Sequence, residues 1–261
     1  MNFFFGIKQD NITSSITIPK FQNSSNQHSE NKIYKATIDN EKWSVEKLNC
    51  HSDKNFYFIE NKLINNEDFF FLSRESDIDQ KIDTNLLQMI QPNTFTSTHP
   101  AYRASLEITH EGGGFSSYQS EYPYEMIDKK SNILSPLGTL LNYNAEKNYL
   151  IFRNINNEPI YKKFDLHIID IDKIKILKTV KIFTNKSNII PIDNEFINHN
   201  TYIFSDSIIG VPMFLSIDKG HLSFEHTHPP YHYILGERNF ELASKLKNRI
   251  YDKIIKKNSS N

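Results

Sequence analysis

The chain has 261 residues, a formal net charge of −1 and a single cysteine, Cys50. Its 30 basic and 31 acidic side chains are interspersed, so the chain lacks the basic patch of a nucleic-acid-binding protein. One cysteine excludes an intrachain disulfide, and no apolar run is long enough to span a bilayer. The opening residues do not form a signal-peptide core. We therefore expect a soluble, cytoplasmic protein with no membrane span and no nucleic-acid partner.

The first third of the chain predicts short strands separated by polar turns. The predicted strands are residues 11–20, 33–38, 43–48, 56–59 and 69–72. The first is predicted as an edge strand, and the next two as a hairpin across residues 39–41. The last two are predicted to pair across a turn at Asn65 and Asn66. Residues 86–90 predict a short helix that ends before Pro92.

The remainder of the chain has a denser strand pattern. The predicted strands are residues 102–108, 115–118, 149–155, 160–169, 174–183, 201–204 and 208–217. The first two should form a hairpin because residues 111–114 contain three glycines. Residues 208–217 are apolar at successive positions, which predicts burial on both faces. Ser135 and Pro136 predict a short helix that starts there and runs to Leu141.

After Gly236 the hydrophobic period changes from two to about four. Leu242, Leu246, Ile250 and Ile254 predict an amphipathic C-terminal helix. We therefore predict a mainly β protein, an antiparallel β-sandwich or barrel-like body closed by this helix. Residues 1–94 are predicted to form a β-rich region, either separate or part of the same domain. Residues 95–261 are predicted to form the main β-sandwich and its closing helix.

The densest group of chemically reactive side chains lies in residues 222–233. If the strand there is regular, Phe224, His226 and His228 project to one face and Glu225 to the other. The following Pro229 restricts His228 to an extended conformation. Such a pair suits two ligands of one zinc or iron ion (Zn or Fe). Candidates for a third ligand are His99, Glu107, His110, Glu121 and His232.

Two other interpretations of this His-x-His pair stay open. The histidines could be structural, with hydrogen bonds that fix the Pro229–Pro230 segment against the sheet. They could instead form a metal-free site, in which imidazoles bind a ligand or act as acid–base groups.

A second concentration of polar and aromatic residues lies in residues 115–125. Tyrosine rings could stack on sugar C–H groups while amide and carboxylate groups bind hydroxyls. The candidate ligand-binding residues are Arg103, Tyr118, Gln119, Glu121, Tyr122, Tyr124, Tyr231 and His232. The competing interpretation is that the tyrosines pack at the rim of the sheets.

No nucleophile elbow, phosphate loop, dinucleotide fingerprint or Cys-x-x-Cys pair occurs in the sequence. The leading hypothesis is a binding or accessory module for a small molecule or glycan, with a His/Tyr-lined site. The alternative is a metal-dependent hydrolase or oxygenase, in which His226 and His228 hold zinc or iron and Glu225 or Glu121 is the general acid/base. The sequence leaves open whether the protein is an enzyme and what its oligomeric state is.

Overall fold

The computed structural model describes residues 2–22, 27–28, 31–75, 78, 82–84, 103–127, 133–226 and 245–256. In these ranges the protein is mainly β, with antiparallel sheets and one helix near the C-terminus. The prediction of a mainly β, antiparallel protein with a C-terminal helix is confirmed. The predicted helix at residues 86–90 lies outside the described residues. No helix in the described part of the chain combines the length and apolar character needed to cross a bilayer.

The N-terminal half of the chain builds two of the four larger sheets. Sheet I contains, in spatial order, β10 (Ile82–Thr84), β6 (Lys42–Lys47), β5 (Lys32–Asp39) and β9 (Phe69–Ser73). Sheet II contains β12 (Phe115–Gln119), β11 (Ser105–His110), β2 (Ile12–Pro19), β8 (Phe56–Ile59) and β7 (His51–Ser52). Two short pairs are β1 (Asn2–Phe3) with β13 (Tyr122–Pro123), and β3 (Phe21–Gln22) with β4 (Gln27–His28).

The C-terminal half builds the other two sheets. Sheet III contains β18 (Ser187–Pro191), β15 (Lys147–Arg153), β20 (Val211–Asp218) and β21 (His221–His226). Sheet IV contains β14 (Ile133–Pro136), β19 (Thr201–Ser205), β16 (Lys163–Asp170) and β17 (Lys175–Phe183). Short 3-10 turns occupy Asn61–Leu63, Tyr124–Met126 and Asn194–Phe196. The C-terminal helix is α-helical over residues 245–251 and π-helical over Asp252–Lys256.

The four sheets are arranged as a propeller-like ring and not as a clear sandwich. The predicted sandwich or barrel-like body is corrected in this respect. The physical reason lies in sheet III, which is buried on both faces. Leu215 of β20 packs with residues of the N-terminal half, whereas Phe214 packs with residues of sheet IV. A sheet that separates two cores cannot form one wall of a two-layer sandwich.

Three hydrophobic clusters stabilise this arrangement by removing apolar surface from water. The first joins sheets I and II to one face of sheet III and includes Phe3 and Met213. The second lies between sheets III and IV, and the third holds Ile250 of the helix against Phe204 of β19. The first cluster contains residues from both sides of the predicted division at residue 94. That boundary lies outside the described residues, and the number of independent domains stays a prediction.

Several local predictions are confirmed. The hairpin across residues 39–41 forms between β5 and β6, and Asn40 and Glu41 both adopt positive φ, as a tight hairpin turn requires. The hairpin of β11 and β12 forms across the glycine-rich turn. Burial of residues 208–217 is confirmed along β20, where residues 211–217 are all buried.

Three local predictions are wrong. The strand at residues 11–20 is β2, which lies in the middle of sheet II between β11 and β8. Strands β8 and β9 do not pair, because β9 is buried at every residue and joins β5 in sheet I. The predicted helix start at Ser135 and Pro136 belongs to β14, an edge strand of sheet IV, where a missing backbone N–H is tolerated.

Candidate functional site

The glycine-rich hairpin packs directly on the turn that precedes β21. A Cβ added at Gly114 would overlap the carbonyl oxygen of Gly220 and lie 2.9 Å from the Cα of His221. The turn itself needs positive φ at Lys219 and Gly220. Because these backbones touch, the edge strands β12 and β21 lie beside each other. The tertiary structure therefore brings the two candidate regions of the sequence together.

Tyr118 is the side chain of β12 that reaches β21. Its ring lies 5.7 Å from the ring of Phe224 and 4.2 Å from that of His226, edge-on to both. Tyr118 is only 9% exposed, and His226 is half-buried. Phe224 is buried and Glu225 is exposed, so the predicted alternation along this strand is confirmed for its described residues. Tyr118 and His226 thus form a packed contact between two sheets.

Tyr122 and Tyr124 are packing residues in this fold. Tyr122 is 0% exposed and donates a hydrogen bond to the carbonyl oxygen of Ile155 at 3.1 Å. Burial raises the pKa of the Tyr122 hydroxyl well above its usual range. The ring of Tyr124 lies 5.8 Å from that of Phe3. Tyr122 has no face available to a ligand in solvent unless the core opens.

Two of the candidate metal ligands, Glu121 and His110, have hydrogen-bond partners within the protein. Glu121 accepts hydrogen bonds from the side chain of Asn2 at 3.4 Å and from the backbone N–H of Ala104 at 3.3 Å. The Nδ1 atom of His110 accepts a hydrogen bond from the Gly112 N–H at 2.9 Å, within its own turn. Glu121 therefore connects the N-terminal segment to the start of β11.

Among the described residues, no group of three or more His, Cys, Asp or Glu side chains has an arrangement that could hold a metal ion. The predicted ligands His228, His99 and His232 lie outside the described residues, as does Tyr231. A zinc or iron site at the His-x-His pair therefore stays a prediction.

The face of sheet II that points away from the core presents an ordered set of polar and aromatic side chains. One row crosses all five strands, with each residue directly opposite the next: Gln119, Ser105, Thr17, Phe58 and His51. A parallel row contains Ser117, Glu107 and Ser15. We call these two rows, with Arg103 beside them, the outer face of sheet II. All of its residues are exposed or half-buried.

The two ends of the long row have defined side-chain contacts. At one end, Arg103 Nη1 donates a hydrogen bond to Gln119 Oε1 at 3.1 Å. At the other end, the rings of His51 and Phe58 stack at a centroid distance of 5.4 Å. From the usual spacing of strands, the row is roughly 19 Å long.

Sequence reasoning named Arg103 and Gln119 as ligand-binding residues and Glu107 as a candidate metal ligand, but it missed the rest of this face. The available signal was the alternation of Thr13, Ser15 and Thr17 with buried isoleucines, which marks one face of β2 as polar. Its alignment with Ser105 and Phe58 depends on strand pairing between segments distant in sequence.

Comparison of the chain with protein-family models, with curated proteins and with solved structures finds no match.

Proposed function

We propose that the protein is a non-catalytic binding module for a glycan or another polyhydroxylated small molecule, which lies across the outer face of sheet II. The observation that carries this proposal is the continuous row from Gln119 to His51. It places an amide, two hydroxyls and an aromatic pair on one accessible surface.

The polar end of the row suits recognition of hydroxyl groups. The hydrogen bond between Arg103 and Gln119 orients a planar guanidinium beside a planar amide. Together they offer several donors and an acceptor in fixed directions, which is what sugar hydroxyls require. The carboxylate of Glu107, in the adjacent row, adds a strong acceptor.

The aromatic end of the row suits the apolar C–H face of a sugar ring. Phe58 is half-buried and stacked on the exposed His51, so the ring pair is held in one orientation. A rigid aromatic surface binds with little loss of side-chain entropy. This combination of aromatic surface and fixed polar groups is typical of small-molecule sites.

Two of the ligand-binding residues predicted from the sequence belong to the proposed site, and the described tyrosines among the others do not. Arg103 and Gln119 lie on the outer face, whereas Tyr118 packs against β21. Roles for Tyr231 and His232 stay predictions. The alternative of a metal-dependent enzyme has no supporting group of side chains among the described residues and stays a prediction.

The test is binding of the purified protein to an array of neutral and acidic oligosaccharides, followed by titration calorimetry with the best ligand. We expect Phe58→Ala to weaken binding by about fivefold, because stacking contributes on the order of 1 kcal/mol. Arg103→Ala and Gln119→Ala should weaken it by a similar factor, because each removes hydrogen bonds to the ligand.

The matched control is Phe183→Ala, which removes a 37% exposed phenylalanine from β17 of sheet IV. This variant should bind like the wild type. Binding that survives all three substitutions on the outer face, or an array on which no oligosaccharide binds, would contradict the proposal.

A further inference from the structure

Arg153 is a fully buried cation at the end of β15, between the two halves of the chain. Its side chain is 0% exposed. The Nη1 atom donates to the backbone carbonyl of Asn66 at 2.6 Å and to Ser187 Oγ at 3.5 Å. Ser187 in turn donates to the carbonyl of Gly6 at 3.1 Å. One edge of the guanidinium is therefore satisfied by the chain.

The other edge of the guanidinium is different. Neither Nε nor Nη2 of Arg153 has a hydrogen-bond acceptor within the described ranges, although both atoms are buried. In a planar guanidinium these two N–H groups lie side by side and point in the same direction. That edge is the one with which arginine binds an oxyanion through two parallel hydrogen bonds.

The carboxylates of Asp68 and Glu67 lie close enough to favour the charged form of Arg153, but neither forms an ion pair with it, and Glu67 pairs with Lys186. The guanidinium of Arg153 lies 5.7 Å from the ring of Phe5 and 6.0 Å from that of Phe69, and these rings stabilise a cation only in part. No ion pair to Arg153 occurs among the described residues. The nearby Asp68 is itself buried and accepts a hydrogen bond from Asn65, and burial raises the pKa of its carboxyl group.

Burial also lowers the pKa of Arg153 to about 10, so the group stays charged at neutral pH. A buried charge without a direct ion pair is unfavourable. Two adjacent, buried N–H donors on a cation that has no direct ion pair within the described ranges are suited to an anionic acceptor.

We infer that the Nε–Nη2 edge of Arg153 binds a small monovalent inorganic anion, which is chloride under physiological conditions. The complete burial of Arg153 excludes a carboxylate or phosphate that belongs to a larger ligand. One spherical ion can accept hydrogen bonds from both N–H groups in the plane of the guanidinium. The anion would neutralise the positive charge of Arg153, which is buried between the two halves of the chain. This site is independent of the outer face of sheet II.

The direct test is a crystal structure of the wild-type protein grown or soaked in sodium bromide, with anomalous diffraction at the bromine edge. We expect an anomalous peak at hydrogen-bonding distance from both Nε and Nη2 of Arg153. A water molecule at that position without an anomalous peak would overturn the inference. An oxygen atom of the chain on this edge would overturn it as well.

A solution test compares unfolding in sodium chloride and in sodium gluconate at equal ionic strength, because gluconate is too large for a buried site. Each tenfold increase in chloride above its Kd should raise the folding equilibrium constant about tenfold, with no such effect of gluconate. Arg153→Met should abolish the difference, and the exposed Arg103→Met should retain it. Equal stability in both salts would contradict the inference. If Arg153→Met does not fold, the wild-type salt comparison and the bromide experiment still test whether Arg153 binds an anion.

Discussion

At the residue scale, buried polar side chains in this protein form hydrogen bonds to backbone atoms. Asn185 accepts a hydrogen bond from the N–H of Asn156 at 2.6 Å and donates to the carbonyls of Glu158 and Ile160 at 2.8 and 2.9 Å. A buried backbone group without a partner is costly, so these amides stabilise the loop that follows β15. Asn185, which lies in a turn, therefore has a structural role.

Tyr122 provides a test of the same principle. Tyr122→Phe leaves the carbonyl of Ile155 without this donor, and we expect the free energy of unfolding to fall by about 1–2 kcal/mol. Chemical denaturation measures the change. The control is Tyr143→Phe, because Tyr143 is 62% exposed, and its effect should be close to zero. Equal effects of the two substitutions would show that the buried hydrogen bond does not contribute.

His167 should make stability depend on pH. It is buried, and desolvation lowers its pKa from 6.5, while Asp165 and Asp206 act in the opposite direction and Lys181 in the same direction. The unfolded chain therefore binds a proton at a higher pH than the folded protein. The contribution of neutral His167 to stability is fully present above pH 6.5. It should decrease as the pH falls from there towards the folded-state pKa of His167.

Urea unfolding at a series of pH values between about 5 and 7 tests this expectation. His167→Gln, which can keep a hydrogen bond to Thr179, should flatten the profile in that window. The exposed His199→Gln is the matched control and should leave the slope unchanged. A slope that persists in His167→Gln would assign the effect to another group.

At the element scale, the contact between the β11–β12 hairpin and β21 depends on glycine. Backbone atoms of Gly114 approach Gly220 and His221 so closely that a side chain at residue 114 has no space. Among the described residues, β12 is an edge strand of sheet II and β21 is an edge strand of sheet III. The two edge strands pack against each other through Tyr118, Phe224 and His226.

Gly114→Ala should therefore move the hairpin away from β21. We expect a loss of about 1–3 kcal/mol in the free energy of unfolding, because the new methyl group meets backbone rather than a flexible side chain. Faster hydrogen exchange in β12 and β21 should accompany the loss. Ser117→Ala, at an exposed position of the same strand, is the control and should change neither quantity. Unchanged hydrogen exchange in Gly114→Ala would show that the contact between the hairpin and β21 does not depend on glycine at residue 114.

At the scale of the whole molecule, sheet III connects the two halves of the chain. Its alternate side chains belong to different clusters, so each half buries one of its faces. Trp43 of β6 adds a direct connection, because its indole N–H donates to the carbonyl of Asn157 at 2.7 Å. Trp43 is the single tryptophan and is 0% exposed, so its fluorescence reports on the N-terminal half.

This arrangement predicts cooperative unfolding across both halves. Phe214→Ala creates a cavity in the cluster between sheets III and IV and should cost about 3–5 kcal/mol. We expect the Trp43 fluorescence midpoint in urea to decrease together with the circular dichroism midpoint. Leu177→Ala, at a 36% exposed position, is the control. A Trp43 transition that does not respond to Phe214→Ala would indicate two independent domains.

The sequence by itself determined the features that depend on local pattern. Period-two alternation identified most of the strands, and the polar residues 39–41 predicted the hairpin turn in which Asn40 lies. The alternation of Phe224, Glu225 and His226 predicted which side of β21 each side chain occupies. Such features depend on neighbours a few residues away, and the sequence shows those directly.

Only the tertiary structure decided which strands pair and which faces are covered. The pattern of β2 is the same for an edge and a central strand, and Pro136 fits an edge strand as well as a helix start. The burial of Tyr122, the unsatisfied edge of Arg153 and the row from Gln119 to His51 all depend on segments far apart in the chain. Strand pairing is set by the summed burial of many side chains, which no local pattern specifies.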